Sequence, residues 1–307
     1  MNQQQASVCG FSFGRNVYKL GYPVEESIRS VLPVCDQFIF VAGDSSDGTA
    51  ERIAALDPKI RVIDSVWEDI KQDGGAMRVE ANKAMDAATA TGCTWGFHIQ
   101  CDEVIHEDDL PMIRAAMDHW ADDPEVKALM FRFLHFILDY QTVNPWGFHK
   151  ACRIVRLDGS CEMVGDSCGP GLRPGHNHSK TNPRAYLDKH HLGGHVRWAA
   201  NPARRFGGPV ARLFHYVWVR PTLQLDAKYQ AIGAVYWGDK SAAERAQIQD
   251  RRLGGIMRKY PLYKKFRATH PAVMASRIEG YPIFQRCVNR WLNPHFYAEI
   301  MRHGYHG

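Results

Sequence analysis

The sequence predicts an α/β protein, with one mostly parallel sheet over its first part and a helical extension over its last. Three observations predict it. Short apolar runs alternate with segments of helical period through the first hundred residues, turn-forming loops follow those runs, and the pattern becomes helical after Pro221. A strand–helix–strand order implies right-handed crossovers. It places the functional loops at the carboxyl ends of the strands, where open α/β sheets bind ligands.

The elements follow in order. Ser7–Phe13 is a short apolar strand. Tyr22-Pro23-Val24-Glu25-Glu26 opens a helix through about Leu32, with proline suited to a first turn and acids near the positive end of the helix dipole. Phe38–Ala42 is a buried strand, followed by the loop Gly43–Thr49 and a helix from about Ala50 to Leu56. Ile60–Ile63 is the third strand, Ala76–Ala90 a helix and Trp95–Gln100 the fourth strand. A helix over 108–120 and a long strand over Ala128–Leu138 come next. Residues 140–210 are rich in Gly, Pro, His and Asn, with strands near Cys152–Leu157 and Val210–His215. Long irregular stretches of this kind are usually functional loops. Helical patterns then cover 222–237, 241–259 and 283–302.

A chain of 307 residues can bury one large core or two smaller ones. No apolar run is long enough to span a bilayer, and the first residues lack the charged and apolar regions of a secretory signal. Eight cysteines without tight spacing fit reduced thiols in a cytoplasmic setting. The net charge of +5 hides an asymmetry: residues 1–196 carry 19 Lys/Arg against 27 Asp/Glu, and residues 197–307 carry 19 against 6. The basic part fits either an anionic partner or a solvated face that docks on the acidic part.

The stretch Trp95–Val104 carries the sharpest signal. An apolar run ends in the adjacent carboxylates Asp102 and Glu103, where hard oxygen ligands could hold a divalent cation against a phosphate. One β-α-β unit earlier, Gly43-Asp44-Ser45-Ser46-Asp47-Gly48-Thr49 could receive a nucleotide at the same edge. Alone, each is an ordinary turn; together they are specific.

On these residues the chain resembles the family 2 glycosyltransferases and their relatives of the GT-A fold, over roughly residues 8–220. The resemblance is carried by Phe13-Gly14-Arg15-Asn16, the helix Glu26–Pro33, Phe40–Thr49, Arg78 through Ala88, Gln100-Cys101-Asp102-Glu103 and His215–Pro221. The tail Thr269–Met274 also looks like a segment of a bacterial and viral subgroup. It implies a GT-A-type nucleotide-binding domain over 1–220, with a nucleotide-sugar-binding half over 1–105 and an acceptor-binding half over 106–220. A basic helical extension over 221–307 follows.

The activity implied is inverting, metal-dependent transfer of a sugar from a nucleotide-sugar, a UDP-sugar by default, to an acceptor hydroxyl. Asp102 and His215 would bind Mn²⁺ or Mg²⁺. Gln100 stands where the first acid of an Asp-x-Asp motif would be, and Ala42 and Gly43 stand where an acid usually ends the second strand. Ser12, Phe13, Arg15, Asn16, Asp44, Ser45, Gln100 and Cys101 would line the nucleotide site. Arg78, Arg220 and Lys228 are candidates to neutralise charge on the diphosphate, and Trp218 to hold a sugar ring, with Trp146 and Trp198 as further platforms. Asp166, in Gly165-Asp166-Ser167, would take the acceptor's proton, with Asp158, Glu162 and Asp188 as competitors. The acceptor could be a glycolipid, a polysaccharide precursor or modified DNA.

Two other readings stand beside it: a nucleotidyltransferase on a related sheet, and a binding protein for nucleic acid or anionic surfaces with a degraded site. The run Cys152, Cys161, Cys168, His176, His178, His190, His191, His195 tempts a zinc reading. Its spacings match neither Cys-x₂-Cys nor His-x₃-His pairs, so free thiols and loop histidines are preferred.

Overall fold

The computed structural model describes residues 5–68, 70, 74–144, 150–167, 169–173, 193–195, 211–238, 240–259, 263–283, 297–298 and 301. Four parallel strands form its first half: β1 (Val8–Gly14), β2 (Gln37–Ala42), β3 (Ile60–Asp64) and β4 (Trp95–His98). They lie in the order β3-β2-β1-β4. The alternation of side chains in these strands splits the core between the two faces of the sheet. Val8, Phe38 and Phe40 pack with Ile28 and Val31 of α1 (Val24–Val31), Ile53 of α2 (Thr49–Ala54) and Met117 of the later helix α4 (Leu110–His119). Cys9, Phe11, Ile39 and Val41 pack on the other face against Ala81, Ala84 and Met85 of α3 (Gly75–Thr89). β1 and β2 are therefore apolar on both faces, as a sandwiched parallel sheet requires. Each buried phenylalanine contributes about 2–3 kcal/mol.

The second half turns antiparallel. After β5 (Glu103–Ile105) and α4 (Leu110–His119) come β6 (Ala128–Ile137), β7 (Thr142–Asn144) and β8 (Lys150–Arg156). β8 inserts between β4 and β6, antiparallel to both. A separate hairpin joins β9 (Cys161–Val164) to β10 (Gly169–Leu172). β11 (Gly193–His195) and β12 (Arg212–Trp218) run parallel to β6, and β12 also pairs antiparallel with β5. The helices α5 (Thr222–Trp237) and α6 (Ala242–Lys259) follow, and then β13 (Lys264–Lys265), paired with β7.

The α/β class and the first four strands are those the sequence predicts, with ends shifted by one or two residues. The fourth strand stops at His98 because Gln100 already belongs to the turn that leads into β5. The helix expected over 283–302 lies almost wholly outside the described residues. The last third is not a detached tail: Arg277 Nε donates to Glu26 at 2.6 Å, and β13 extends the sheet.

Candidate active site

The strand order reverses between β1 and β4: the chain steps outward from β1 through β2 to β3, then returns to the far side of β1. Loops leaving adjacent strands in opposite directions open a crevice at the carboxyl edge. Asp102 lies just beyond β4 in that crevice. Its placement is fixed by backbone pairing, since the Tyr216 amide donates to the Asp102 carbonyl at 2.8 Å and His215 stands opposite Glu103 in the β12–β5 ladder.

The adjacent carboxylates have different partners. Glu103 is fully buried and held by Arg153, whose Nη2 and Nε lie 2.6 and 2.7 Å from its two oxygens. Asp102 is nearly buried and faces nitrogen cations: Lys228 Nζ at 2.9 Å and Arg220 Nη2 at 3.8 Å from Oδ2, with His215 Nε2 3.5 Å from Oδ1. Burial alone would raise the Asp102 carboxyl; Lys228, His215 and Arg220 overcome it and hold the group well below the usual carboxylate range. Burial, with Arg220 adding to it, pushes the Lys228 ammonium down to about 7 against the pull of Asp102.

Arg220 lies over the Tyr22 ring, 4.5 Å from its centroid, and donates Nη1–H to the Leu20 carbonyl. Its Nε and Nη2 are buried without a hydrogen bond among the described residues. Buried donors without partners are rare and costly, so they are suited to an incoming anion. His215 Nδ1 lies 2.8 Å from His135 Nδ1, so one of these nitrogens donates to the other. When a neutral His215 is the donor there, its Nε2 keeps a lone pair toward Asp102.

The loops after β1 and β2 are bonded to each other. The Asn16 amide donates to Ser45 Oγ at 2.9 Å, the Ser46 amide to Asn16 Oδ1 at 2.8 Å, and the Tyr18 and Lys19 amides to Asp47 Oδ2 at 3.0 and 2.9 Å. Exposed Arg15 and Asp44 pair at 2.5 Å across the mouth. Behind them Phe13 packs between Trp67, 6.3 Å away, and His98, 6.5 Å away. Trp67 Nε1 is buried without a hydrogen bond among the described residues, against Gly43, where a Cβ would approach within 2.3 Å of it. Ser12 and Cys101 lie beneath this floor: Ser12 is buried, and the Cys101 thiol donates to the Phe13 carbonyl.

Asp166 sits in the turn between β9 and β10. Its Oδ2 accepts a hydrogen bond from Tyr236 of α5, and the next residue's carbonyl accepts from Gln100 Nε2 at 2.9 Å. Among its competitors, Asp158 follows β8, which runs antiparallel to β4, so it lies at the opposite edge of the sheet, paired with Lys127 at 2.7 Å. Glu162 is on β9, and Asp188 is outside the described residues.

The structure thus brings Asp102, His215, Arg220, Lys228 and Gln100 together, with the Asp166 turn alongside. Arg78 is exposed in the first turn of α3 and makes no ion pair with a described residue. Trp218 packs beside Tyr229, 5.1 Å between ring centres, and joins the cluster of Ile137 and Tyr263. Trp146, Trp198, Cys168, His176, His178, His190 and His191 lie outside the described residues, where the zinc reading mostly falls. Sequence reasoning missed Tyr236, His135 and Trp67. Tyr236 lies two helical turns after Lys228, and that spacing was the one available signal.

No family model matches the chain, and no curated protein matches it. Solved structures are similar over parts of it. A mannosyltransferase from Pyrobaculum calidifontis, in complex with GDP-Man and Mn²⁺, is 18% identical over 41% of this chain and 35% of that one, with a TM-score of 0.30. Glucosyl-3-phosphoglycerate synthase from Mycobacterium tuberculosis, in complex with Mn²⁺, UDP and glucosyl-3-phosphoglycerate, is 12% identical over 53% and 62%, with a TM-score of 0.33. S. aureus TarS 1-349 is 13% identical over 79% and 69%, with a TM-score of 0.38. The chain spans about a third of the mannosyltransferase and about three fifths of the synthase. At such identities and TM-scores the likeness does not place the chain in any of these enzyme groups.

Proposed function

We propose that this chain is a GT-A-type glycosyltransferase related to family 2, moving a sugar from a nucleotide-sugar to an acceptor hydroxyl with inversion. One observation carries the reading: at the strand-order reversal the buried carboxylate of Asp102 is ringed by Lys228, Arg220 and His215, with two Arg220 donors left over. Breaking the bond between a sugar's anomeric carbon and its phosphate leaves new negative charge on the departing diphosphate. Preorganised cations in a site of low dielectric stabilise that charge as it develops. Lys228 and Arg220 are so placed. Asp44, Ser45, Arg15 and the Phe13–Trp67 wall would take the nucleoside, uridine by default, and Asp166 would accept the proton of the acceptor hydroxyl.

The donor set also fits a divalent cation. Asp102 Oδ1 and His215 Nε2, 3.5 Å apart, offer a carboxylate and an imidazole, which suit Mn²⁺ or Mg²⁺ with substrate oxygens and water completing the shell. The described residues gather no group of three such ligands, so the protein would supply two. When bound, the ion would add positive charge against the diphosphate.

The basic balance of residues 197–307 favours an anionic acceptor: a glycolipid, a polysaccharide precursor or modified DNA. The six described cysteines, all buried, support a reducing, cytoplasmic setting. No helix among the described residues is long and apolar enough to cross a membrane.

The test is thermal stability with UDP, GDP, CDP, ADP and dTDP, each with and without Mn²⁺, on the wild type and Asp102→Ala. Stabilisation by one nucleotide, lost in the variant, supports the reading and names the base. No shift with any nucleotide overturns it in favour of a binding protein, to be probed with DNA and anionic vesicles.

A further inference from the structure

Gln100 occupies the place where a metal-binding motif would begin with an acid, yet its side chain turns to the acceptor side of the crevice. Nε2 donates to the Ser167 carbonyl at 2.9 Å. The rest of the residue is pinned. Its amide donates to Glu103 Oε2 at 3.0 Å, and its carbonyl accepts from Ser27 Oγ at 2.8 Å and from the Glu103 amide at 3.0 Å. Glu103 is in turn fixed by Arg153. The amide group therefore projects from a rigid base.

What it reaches is a strained turn. Gly165 has φ +63° and Ser167 φ +71°, and Ser167 is a fully buried non-glycine residue in the left-handed region. Such a conformation persists only where its surroundings over-determine it. Three contacts do so here: Gln100 on the carbonyl, His98 Nε2 at 3.4 Å from Ser167 Oγ, and the bare face of Gly74, where a Cβ would come within 2.7 Å of Asp166 Cβ. Between them hangs Asp166, its carboxylate bonded by Tyr236. A carbonyl can only accept, so the residue facing Ser167 must donate. Aspartate or glutamate would set a charge against the carbonyl oxygen, and asparagine would be one methylene short.

We propose that Gln100 is a positioning residue for Asp166: it fixes the 164–167 turn, and so the base, and it ligates neither metal nor donor. The proposal rests on the transferase reading, which takes Asp166 as the base. It explains why an amide replaces the acid at this position without requiring a decayed site.

The experiment compares wild type, Gln100→Asp, Gln100→Glu and Gln100→Met. Nucleotide diphosphate affinity is measured with and without Mn²⁺, sugar transfer is resolved into kcat and donor KM, and amide hydrogen exchange is followed over residues 163–168. The expected result is a nucleotide Kd and donor KM within about threefold of wild type, kcat lowered at least about tenfold in all three variants, and exchange over the turn at least about tenfold faster. Gln100→Met removes the donor without adding charge and so guards against misfolding in the acidic variants. Tighter Mn²⁺-dependent binding or higher activity in Gln100→Asp would overturn the proposal and make Gln100 a lapsed metal ligand. A raised donor KM with unchanged kcat would make it a donor contact. Should the wild type bind no nucleotide at all, the transferase reading fails. The exchange arm still decides whether Gln100 holds the turn, because unchanged exchange refutes that on its own.

Discussion

Asp102 and Glu103 are chemically alike and adjacent, so neutralising each in turn isolates the effect of their partners. Glu103 faces Arg153, and both side chains are essentially inaccessible. Glu103→Gln leaves the guanidinium buried without its counter-charge. An arginine cannot shed its proton, so the full cost of an unpaired buried charge is incurred, about 3–5 kcal/mol. In a chain of this size that corresponds to a fall in Tm of about 6–10 °C, at about 2 °C per kcal/mol. Asp102→Asn instead leaves Lys228, which burial already pushes down to about 7. That lysine can become neutral near physiological pH, and a neutral amine is far cheaper to bury than a cation; Arg220, 3.8 Å from Asp102 and not hydrogen-bonded to it, keeps the Tyr22 ring and the Leu20 carbonyl, so the change should cost about 1–2 kcal/mol, less than at Glu103. Urea unfolding at pH 7.5 measures both. A third variant, Glu103→Met with Arg153→Met, should recover most of the loss, since apolar replacement of a buried pair is often neutral. Equal costs for the two single variants, or a larger cost for Asp102→Asn, would refute the argument that the partner's ability to lose its proton separates the two sites.

Two further outcomes are expected. Lys228→Met should weaken nucleotide diphosphate binding at least about tenfold, or about 1.4 kcal/mol, measured by calorimetry; a Kd within twofold of wild type would remove Lys228 from the donor site. His270 donates Nε2–H to the Tyr140 carbonyl at 2.7 Å and accepts the Tyr216 hydroxyl at Nδ1, 2.8 Å, so the folded state wants it neutral. Burial pushes it down to about 4, the Tyr140 bond acting in the opposite sense. Above the unfolded value of about 6.5 this group contributes no pH dependence. Between about 6.5 and 4 the unfolded chain binds the extra proton, so stability is lost as the pH is lowered, by about 2 kcal/mol once partial exposure is allowed for. His270→Gln should flatten that part of the wild-type slope in urea unfolding between pH 4 and 7.5, and an unchanged slope would count against it.

The first half of the fold was legible because its signals are local. Phe38–Ala42 and Trp95–Phe97 are apolar runs bounded by turns, and buried parallel strands need nothing more to be seen. The second half was harder because its strands are defined by partners. β5 is three residues long, too short to show a period, and exists because β12 lies against it. That pairing, which no spacing encodes, brings His215 beside Asp102 across a sequence separation of 113 positions. The family resemblance could supply Asp102, Asp166 and His215, but not what surrounds them.

Gln100 shows the limit most clearly. Read along the chain it is a motif that has lost an acid, and the natural inference is a weakened metal site. In three dimensions its amide faces a carbonyl 67 residues away, and an acid would be the wrong group there. α5 works in the same way, carrying Lys228 to Asp102 and Tyr236 to Asp166, two turns apart on one helix. In sequence these are two residues in a basic extension outside the expected domain. In the fold the extension's first helix touches both acids at once, so the boundary near residue 220 separates two sequence patterns but does not separate the candidate site.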